Sequence, residues 1–296
     1  MMSHNDYPCS FKTSDKTSMS CQKNHIVSSV IHFGLLILAA LFSSFTFDVN
    51  SNLYKICVWG IIATLFLALT LKLVMKIVGW DKQWYDSRAV AESMKTVTWR
   101  YVTGAKPFGL ENQQDEIDKK FVDEVNSIIT SRPSIQQAMS TCLVSGKQIS
   151  DRMREIRKIT DIEEKKKIYL KGRVEDQKNW YSKKAKYNGR REKLWFAFII
   201  IAEVLAILLA FYMLNAKSNI FNPIGVITTV AGIFVAWTET KRFRELSQSY
   251  ALAAQELASA ASLIENVHDQ ASLGVYVDDT ENAISREHTM WCAKRS

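Results

Sequence analysis

Charged residues are scarce in four stretches of this 296-residue chain. The windows 26–47, 56–71, 194–214 and 221–237 contain no Lys or Arg, and the one acid within them is Glu203. The remainder of the chain is rich in charge, and the whole protein has a formal net charge of +8. This uneven distribution excludes a simple soluble globule and a disordered chain. It favours a membrane protein with a large water-facing part.

Paired cysteines, metal-binding motifs and nucleotide-binding loops are also missing from the sequence. The five Cys are not spaced as metal ligands, and the five His form no His-Glu-x-x-His pattern. Gly146-Lys147 is followed by Gln, which excludes a phosphate-binding P-loop. We therefore expect no catalytic residue, no metal site and no cofactor, and we expect that the protein is not an enzyme.

The four charge-poor windows predict membrane spans. A helix needs about 20 apolar residues to cross the hydrocarbon core of a bilayer. The second window reaches a comparable length when it is extended to about Val78, because lysines near its ends can extend toward the headgroups. Lys and Arg concentrate before the first and third windows and after the second and fourth. Both termini and the middle of the chain are therefore expected in the cytoplasm.

The predicted fold is an all-α membrane protein, with two transmembrane helical hairpins and a helical cytoplasmic stalk or bundle. The segments expected along the chain are a mobile cytoplasmic tail at 1–25, the first hairpin at 26–78, a helical cytoplasmic segment at 79–145, a long basic cytoplasmic helix at 146–193, the second hairpin at 194–237, and a heptad-like helix followed by a C-terminal helix at 238–296.

Glu203 is the candidate functional residue inside the membrane. A carboxyl group in hydrocarbon is costly and usually faces a polar interior or a pore. Glu203 could line a cation-favouring pore or act as a protonatable gate. The alternative is a protonated Glu203 that hydrogen-bonds to Thr228 or Thr229 of the paired span and holds the helices together. With Gly232, these residues are the pore or gate candidates.

A basic collar, residues 165–193, precedes the third span with twelve basic and three acidic residues. It is expected to contact anionic lipid headgroups or an anionic partner. A nucleic-acid partner, stacked on Trp180, Tyr181 and Tyr187, is disfavoured because the collar adjoins a span and matches no nucleic-acid fold signature. The candidate contact residues in and beyond the collar are Lys183, Lys184, Lys186, Arg190, Arg191, Lys193, Lys241 and Arg242.

A heptad-like seam follows the fourth window. Apolar residues recur there at alternating steps of three and four up to Val267, which is typical of a packed helix. The large seam residues are Phe243, Leu246, Tyr250, Leu257 and Ile264. One interpretation is an oligomerisation or partner interface. The other is packing against the 149–193 helix of the same chain.

Three sequence features of the C-terminal half carry a family resemblance. The first is the basic-aromatic run Asn179-Trp180-Tyr181-Ser182-Lys183-Lys184-Ala185 before the hairpin. The second is the hairpin exit, Ala236-Trp237 and then Thr240-Lys241-Arg242-Phe243-Arg244-Glu245-Leu246. The third is the closing Ile284-Ser285-Arg286-Glu287-His288-Thr289-Met290-Trp291. This half resembles the SLATT family of two-transmembrane effector domains, and the first hairpin looks like a second, more diverged copy.

The resemblance implies a function. It implies an effector of a prokaryotic anti-phage conflict system that sits in the bacterial inner membrane and assembles into a homo-oligomeric pore. Membrane lipids, and a sensor or nucleotide-synthesising partner protein, would be its partners. The family implies no catalytic residues. The alternative function is a membrane-anchored helical scaffold that recruits a cytoplasmic partner and forms no pore.

Overall fold

The computed structural model describes residues 2–109, 113–214 and 220–293, with side chains as far as 285. These residues are almost entirely helical and contain no strand beyond one isolated bridge. The predicted all-α membrane fold is confirmed. The helices are α1 (Cys9–Ser43), α2 (Asn52–Val78), α3 (Trp80–Thr103), α4 (Gln114–Thr130), α5 (Gln136–Thr141), α6 (Asp151–Lys158), α7 (Ile162–Tyr169), α8 (Asp176–Leu214), α9 (Ile224–Lys241), α10 (Phe243–Leu263) and α11 (Gln270–Ala293).

The chain divides into two compact units. The polar unit comprises Met1–Gln22, Asp81–Ala185 and Gln248–Ser296, and the apolar unit comprises Lys23–Trp80 and Lys186–Ser247. Each unit is discontinuous in sequence, because every hairpin leaves the polar unit and returns to it. The apolar unit therefore holds both predicted hairpins, and the polar unit gathers the segments before, between and after them.

The N-terminal residues form a docked segment, so the prediction of a mobile tail at 1–25 is wrong. Helix α1 begins at Cys9, and Phe11 is buried in the core of the polar unit. Buried hydroxyl groups on α1 donate to carbonyl groups of the preceding turn, as Thr17 does to Thr13 at 2.8 Å. The Ser-rich composition suggested mobility, but these hydroxyls form hydrogen bonds with backbone carbonyl groups of the same helix and can therefore be buried.

The predicted single helix over 146–193 is interrupted. Helix α6 ends at Lys158. Asp161 caps the N-terminus of α7, because its side chain accepts a hydrogen bond from the Glu163 amide at 3.0 Å. From Ile162 onward the chain stays helical through a π-helical turn, Leu170–Glu175, and into α8. Gly172 lies in this turn where the Trp99 ring approaches, and a Cβ there would lie 3.0 Å from that ring. The glycine therefore serves close packing instead of breaking the helix.

Three helical stretches are long and apolar enough to span a membrane: Cys9–Ser43, Asn52–Thr103 and Ile162–Leu214. They contain the second and third predicted windows and the first window as far as Ser43. The fourth window is shorter as a helix than predicted, because Phe221, Asn222 and Pro223 precede α9 and Asn222 accepts a hydrogen bond from the Ile224 amide. Its apolar part covers only about 20 Å at about 1.5 Å per residue. Its crossing of the membrane remains a prediction.

Close helix contacts hold the first hairpin together within the apolar unit. Thr64 and Ala68 are buried, and a Cβ on Gly60 would lie 2.9 Å from the Phe42 ring. His32 Nδ1 lies 3.2 Å from the carbonyl oxygen of Ala68. The small residues of α2 thus allow α1 to approach closely, as small residues do in membrane helix pairs.

The connections at the ends of the two hairpins pair with each other. Thr46 donates its amide proton to the Ile220 carbonyl at 2.8 Å, and Asn222 donates to the Ser44 carbonyl at 2.7 Å. The Phe45 and Phe221 rings lie 5.1 Å apart. The two hairpins of one chain are therefore joined at these connections by backbone hydrogen bonds, a relationship that the sequence left open.

Aromatic residues build the core of the polar unit. The fully buried rings include Trp99, Tyr101, Phe108 and Phe121, and the Tyr101 and Phe121 rings lie 4.7 Å apart. Helix α4 buries Ile117, Phe121 and Val125, which lie on one face at steps of four. The core explains the role of α4, which covers α3 with this face.

Candidate functional site

Glu203 lies on an exposed face of α8 in the apolar unit. Its neighbours Ala202 and Ala206 are buried and form the packed face of the helix, whereas Glu203 is exposed. Among the described residues Glu203 has no hydrogen-bond or ion-pair partner. In the structure Glu203 makes no hydrogen bond to Thr228 or Thr229, whose hydroxyls donate to carbonyl groups of α9, Thr229 to Gly225 at 2.8 Å.

The register of α8 and α9 places Glu203 near the depth of the threonines. The two helices run antiparallel, since Trp195 contacts Trp237 at 6.1 Å and Phe198 contacts Phe234 at 6.0 Å between ring centroids. Counting onward from this contact puts Glu203 level with about Thr229. Thr228 and Gly232 are exposed and Thr229 is half-buried. The pore candidates therefore lie at a similar depth, on surface that the described helices leave exposed or only half-buried.

The predicted lipid or anion contacts are at the surface of the units to which they belong. Lys183, Lys184 and Lys186 are exposed, as are Arg190 and Lys193, while Arg191, Lys241 and Arg242 are half-buried. Three of these cations lie over aromatic rings. Those pairs are Lys184 with Trp180 at 5.7 Å, Arg191 with Tyr187 at 5.3 Å, and Lys241 with Trp237 at 4.8 Å. Cations beside aromatic rings suit a membrane interface.

The nucleic-acid alternative loses one of its stacking groups. Tyr181 is fully buried, and its ring contacts that of Tyr250 at 5.6 Å. Trp180 is half-buried and packs on Tyr250 at 5.3 Å. Tyr187 is exposed. The three rings therefore do not form a common platform on which bases could stack.

The heptad-like seam is covered by the chain itself. Phe243, Leu257 and Ile264 are buried, and Leu246 and Tyr250 are half-buried. In the polar unit Tyr250 packs against Trp180 and Tyr181 of α8. Packing within the chain, the second interpretation, thus covers part of the seam, and an oligomerisation or partner interface stays a prediction.

A buried ionic network lies in the polar unit and was not predicted. Arg173 donates to Glu281 through Nε at 2.9 Å and Nη2 at 2.7 Å, and both side chains are at most 1% exposed. Thr96 and Tyr169 donate to the same carboxylate at 2.8 and 3.1 Å. Close by, Trp99 donates to the Tyr7 hydroxyl at 2.9 Å, and burial raises the pKa of Tyr7 to about 12.

Sequence reasoning missed this network because its members look ordinary. Arg173 is one of twelve basic residues in the collar, and Glu281 belongs to the closing segment of α11. One local signal exists, since Tyr169 and Arg173 are four residues apart and share a helix face. Glu287, His288 and Trp291 of the closing motif that begins at Ile284 lie outside the residues whose side chains the structure describes.

The described residues contain no group of three or more His, Cys, Asp or Glu side chains that could hold a metal ion. The described sites are a membrane helix face with an uncovered carboxylate, a basic surface and a buried ion pair. This combination defines a class, a helical membrane protein that has a polar helical unit and two apolar helical hairpins.

Comparison with protein families gives a more specific assignment. Residues 8–166 match the family described as SMODS and SLOG-associating 2TM effector domain 3, and residues 169–291 match SMODS and SLOG-associating 2TM effector domain 1. The chain belongs to this SLATT family and carries two copies of the domain. The resemblance predicted for the C-terminal half, and the second copy predicted for the N-terminal half, are both confirmed. No curated protein and no solved structure matches the chain.

The two copies do not correspond to the two compact units. The polar unit takes residues from both copies, and Thr96 of the first copy donates to Glu281 of the second. The Trp99 ring of the first copy likewise packs on Tyr169 of the second at 5.6 Å. The tandem copies thus share one polar core.

Proposed function

We propose that the chain is an inner-membrane effector of a prokaryotic anti-phage conflict system. Its spans assemble with those of other copies into a pore or a membrane-disrupting assembly. A sensor or nucleotide-signalling partner triggers it, and the polar unit faces the cytoplasm. The family description, which names effector domains associated with SMODS and SLOG, supports a partner-triggered effector. The basic residues beside the spans support the orientation.

The observation that carries the proposal is the uncovered face of α8. Only 6% of its apolar window is buried within the chain, compared with 22% for the window of α1. Apolar exposure alone is satisfied by lipid. Lipid does not stabilise Glu203 on that face, because a carboxyl group in hydrocarbon is costly. Contact between copies that turns Glu203 toward a shared polar lumen removes this cost.

Induced expression of the full chain in bacteria, with and without the products of neighbouring genes, tests the proposal. A voltage-sensitive dye reports the membrane potential while growth is followed in the same culture. We expect depolarisation to precede growth arrest when the partner is present. A stable potential and normal growth, with the chain present in the membrane and its partner co-expressed, would contradict the pore and favour the scaffold.

Purified chain in liposomes provides the second measurement. Oligomerisation in the membrane should release an entrapped ion before it releases a large dextran, because a pore of a few helices has a limited diameter. A matched preparation of liposomes without protein sets the background. Equal release of both solutes would indicate general disruption of the bilayer, and no release from liposomes that also hold the partner would exclude both activities.

A further inference from the structure

A cavity of about 270 Å³ lies within the polar unit, apart from the pore candidates and the seam, and part of its wall comes from the beginning of the basic collar. Its walls come from the N-terminal segment and the start of α1, from α3, and from the π-helical turn before α8. Lys95 belongs to the first family copy, and Lys171 and Arg173 belong to the second. A ligand in this cavity would therefore contact both copies.

The inner wall of the cavity offers hydrogen-bond donors. Arg173 binds Glu281 through Nε and Nη2, while its buried Nη1 has no hydrogen-bond partner among the described residues. A guanidinium nitrogen is only a donor, so the group that would satisfy it must be an acceptor. Tyr7 also lines the cavity, and its hydroxyl accepts a hydrogen bond from Trp99 and so can offer its own proton to an acceptor.

Two ammonium groups add to this donor set. The Lys95 side chain is 19% exposed, and its Nζ lies 3.3 Å from Glu92 and 5.4 Å above the Phe11 ring. Lys171 is exposed at the cavity. Asp15 and Asp176 also line the cavity, so the wall carries three cationic side chains and two carboxylates besides His4. Glu281 and Glu92 already pair with Arg173 and Lys95, so the donors left for a ligand are Arg173 Nη1 and the Lys171 ammonium group. This arrangement suits one anionic group and repels a polyanion.

We propose that this cavity binds a small metabolite through a single phosphate or carboxylate group, held by Arg173 and Lys171, with Lys95 adding positive charge to the wall. Guanidinium and ammonium groups are the usual partners of both anions. The volume is just below the range of about 300–1,000 Å³ that is typical of drug-sized ligands, which favours a small molecule. The Tyr7 and Phe11 rings would cover its less polar part.

Isothermal titration calorimetry of the full chain in detergent micelles tests the proposal. The probes are inorganic phosphate and acetate, titrated separately at a constant ionic strength set with sodium chloride. We expect saturable binding of one anion per chain. Lys171→Gln and Lys95→Gln should each raise the dissociation constant about tenfold, since each removes one positive charge from the cavity. Lys167→Gln, at an exposed lysine outside the cavity, should leave the dissociation constant unchanged.

The outcomes separate the two anions and distinguish the cavity from the basic residues next to the third span. Binding of phosphate alone or acetate alone assigns the group that the site prefers, and binding of both supports the shared chemistry. Arg190→Gln in the collar should have no effect on cavity binding. Lys171 is exposed, so its variant is expected to fold, and circular dichroism checks this. No saturable binding of either probe, or equal affinity in the wild type and the folded Lys171→Gln variant, would overturn the proposal.

Discussion

The Arg173 guanidinium and the Glu281 carboxylate, 108 residues apart in the sequence, form a two-bond ion pair with distances of 2.9 and 2.7 Å. Both side chains belong to the second SLATT copy, and Thr96 of the first copy donates to the same carboxylate. The pair is almost fully removed from solvent. It therefore fixes the position of α11 against α3 and the π-helical turn before α8, and it does so at the point where the two copies meet.

Breaking this pair should strongly destabilise the polar unit. Arg173→Met leaves the buried Glu281 carboxylate without its cation, and we expect the free energy of unfolding to fall by about 3–5 kcal/mol. Denaturant unfolding of the chain in detergent micelles measures the change. Arg152→Met, which breaks an exposed pair with Glu155, is the control and should change the stability by less than about 1 kcal/mol. Equal losses in the two variants would contradict the role of the buried pair.

Lys165 should limit the stability of the polar unit. It is 1% exposed, and the hydrogen-bond partner of its Nζ is the neutral Gln270 side chain at 3.4 Å. Burial of an ammonium group without a carboxylate is costly, so we expect Lys165→Met to raise the free energy of unfolding by about 1 kcal/mol or more. The same substitution at the exposed Lys167 is the matched control and should be close to neutral. A loss of stability in Lys165→Met would show that the amine makes a needed contact.

A methyl group at Gly60 should disturb the first hairpin. The added Cβ would lie 2.9 Å from the Phe42 ring, so α1 and α2 must separate or the ring must move. We expect Gly60→Ala to lower the unfolding free energy by about 1–3 kcal/mol. Gly34→Ala is the control, because a Cβ there meets no atom within 4 Å. Thermal unfolding in the same detergent compares the two variants, and equal behaviour would mean that this contact is not tight.

Glu203 should control the proposed ion flux. Glu203→Ala and Glu203→Gln remove the negative charge, and we expect both to slow cation flux in liposomes at least tenfold if the carboxylate lines the lumen. Glu239→Gln, at an exposed acid near the end of α9, is the control and should keep the wild-type flux. Flux that is unchanged in both Glu203 variants would remove Glu203 from the mechanism without excluding a pore formed by other residues.

Residues 9–22 should resist proteolysis in the native protein. Phe11 is buried in the polar core, and Lys16 is exposed on the same helix. Because a helix must unfold locally to be cleaved, we expect trypsin to cut after Lys16 slowly in the wild type. Phe11→Ala removes about 3–5 kcal/mol of packing and should speed this cleavage. Lys12→Ala, which leaves Phe11 in place, is the control. Rapid cleavage of the wild type would restore the mobile-tail interpretation.

Much of the fold could be read from local composition. The second and third membrane windows and most of the first lie in long apolar helices, and the basic-aromatic run and closing motif identified the family. The N-terminal tail was misjudged because its serine and threonine hydroxyls are satisfied inside α1, which composition does not show. The end of α6 was missed because Asp161 can equally be an exposed helical residue or a helix cap, and only its backbone conformation distinguishes the two.

The sequence by itself determined the membrane class, the helical content and the SLATT family, because hydropathy, periodicity and short motifs are properties of neighbouring residues. Tertiary structure alone decided which charges are buried and what covers each helix face. Arg173 and Lys165 belong to the same basic run as the exposed Lys183, yet only the first two are buried in the core. That difference depends on contacts with residues as distant as Glu281 and Gln270, and no local pattern encodes such contacts.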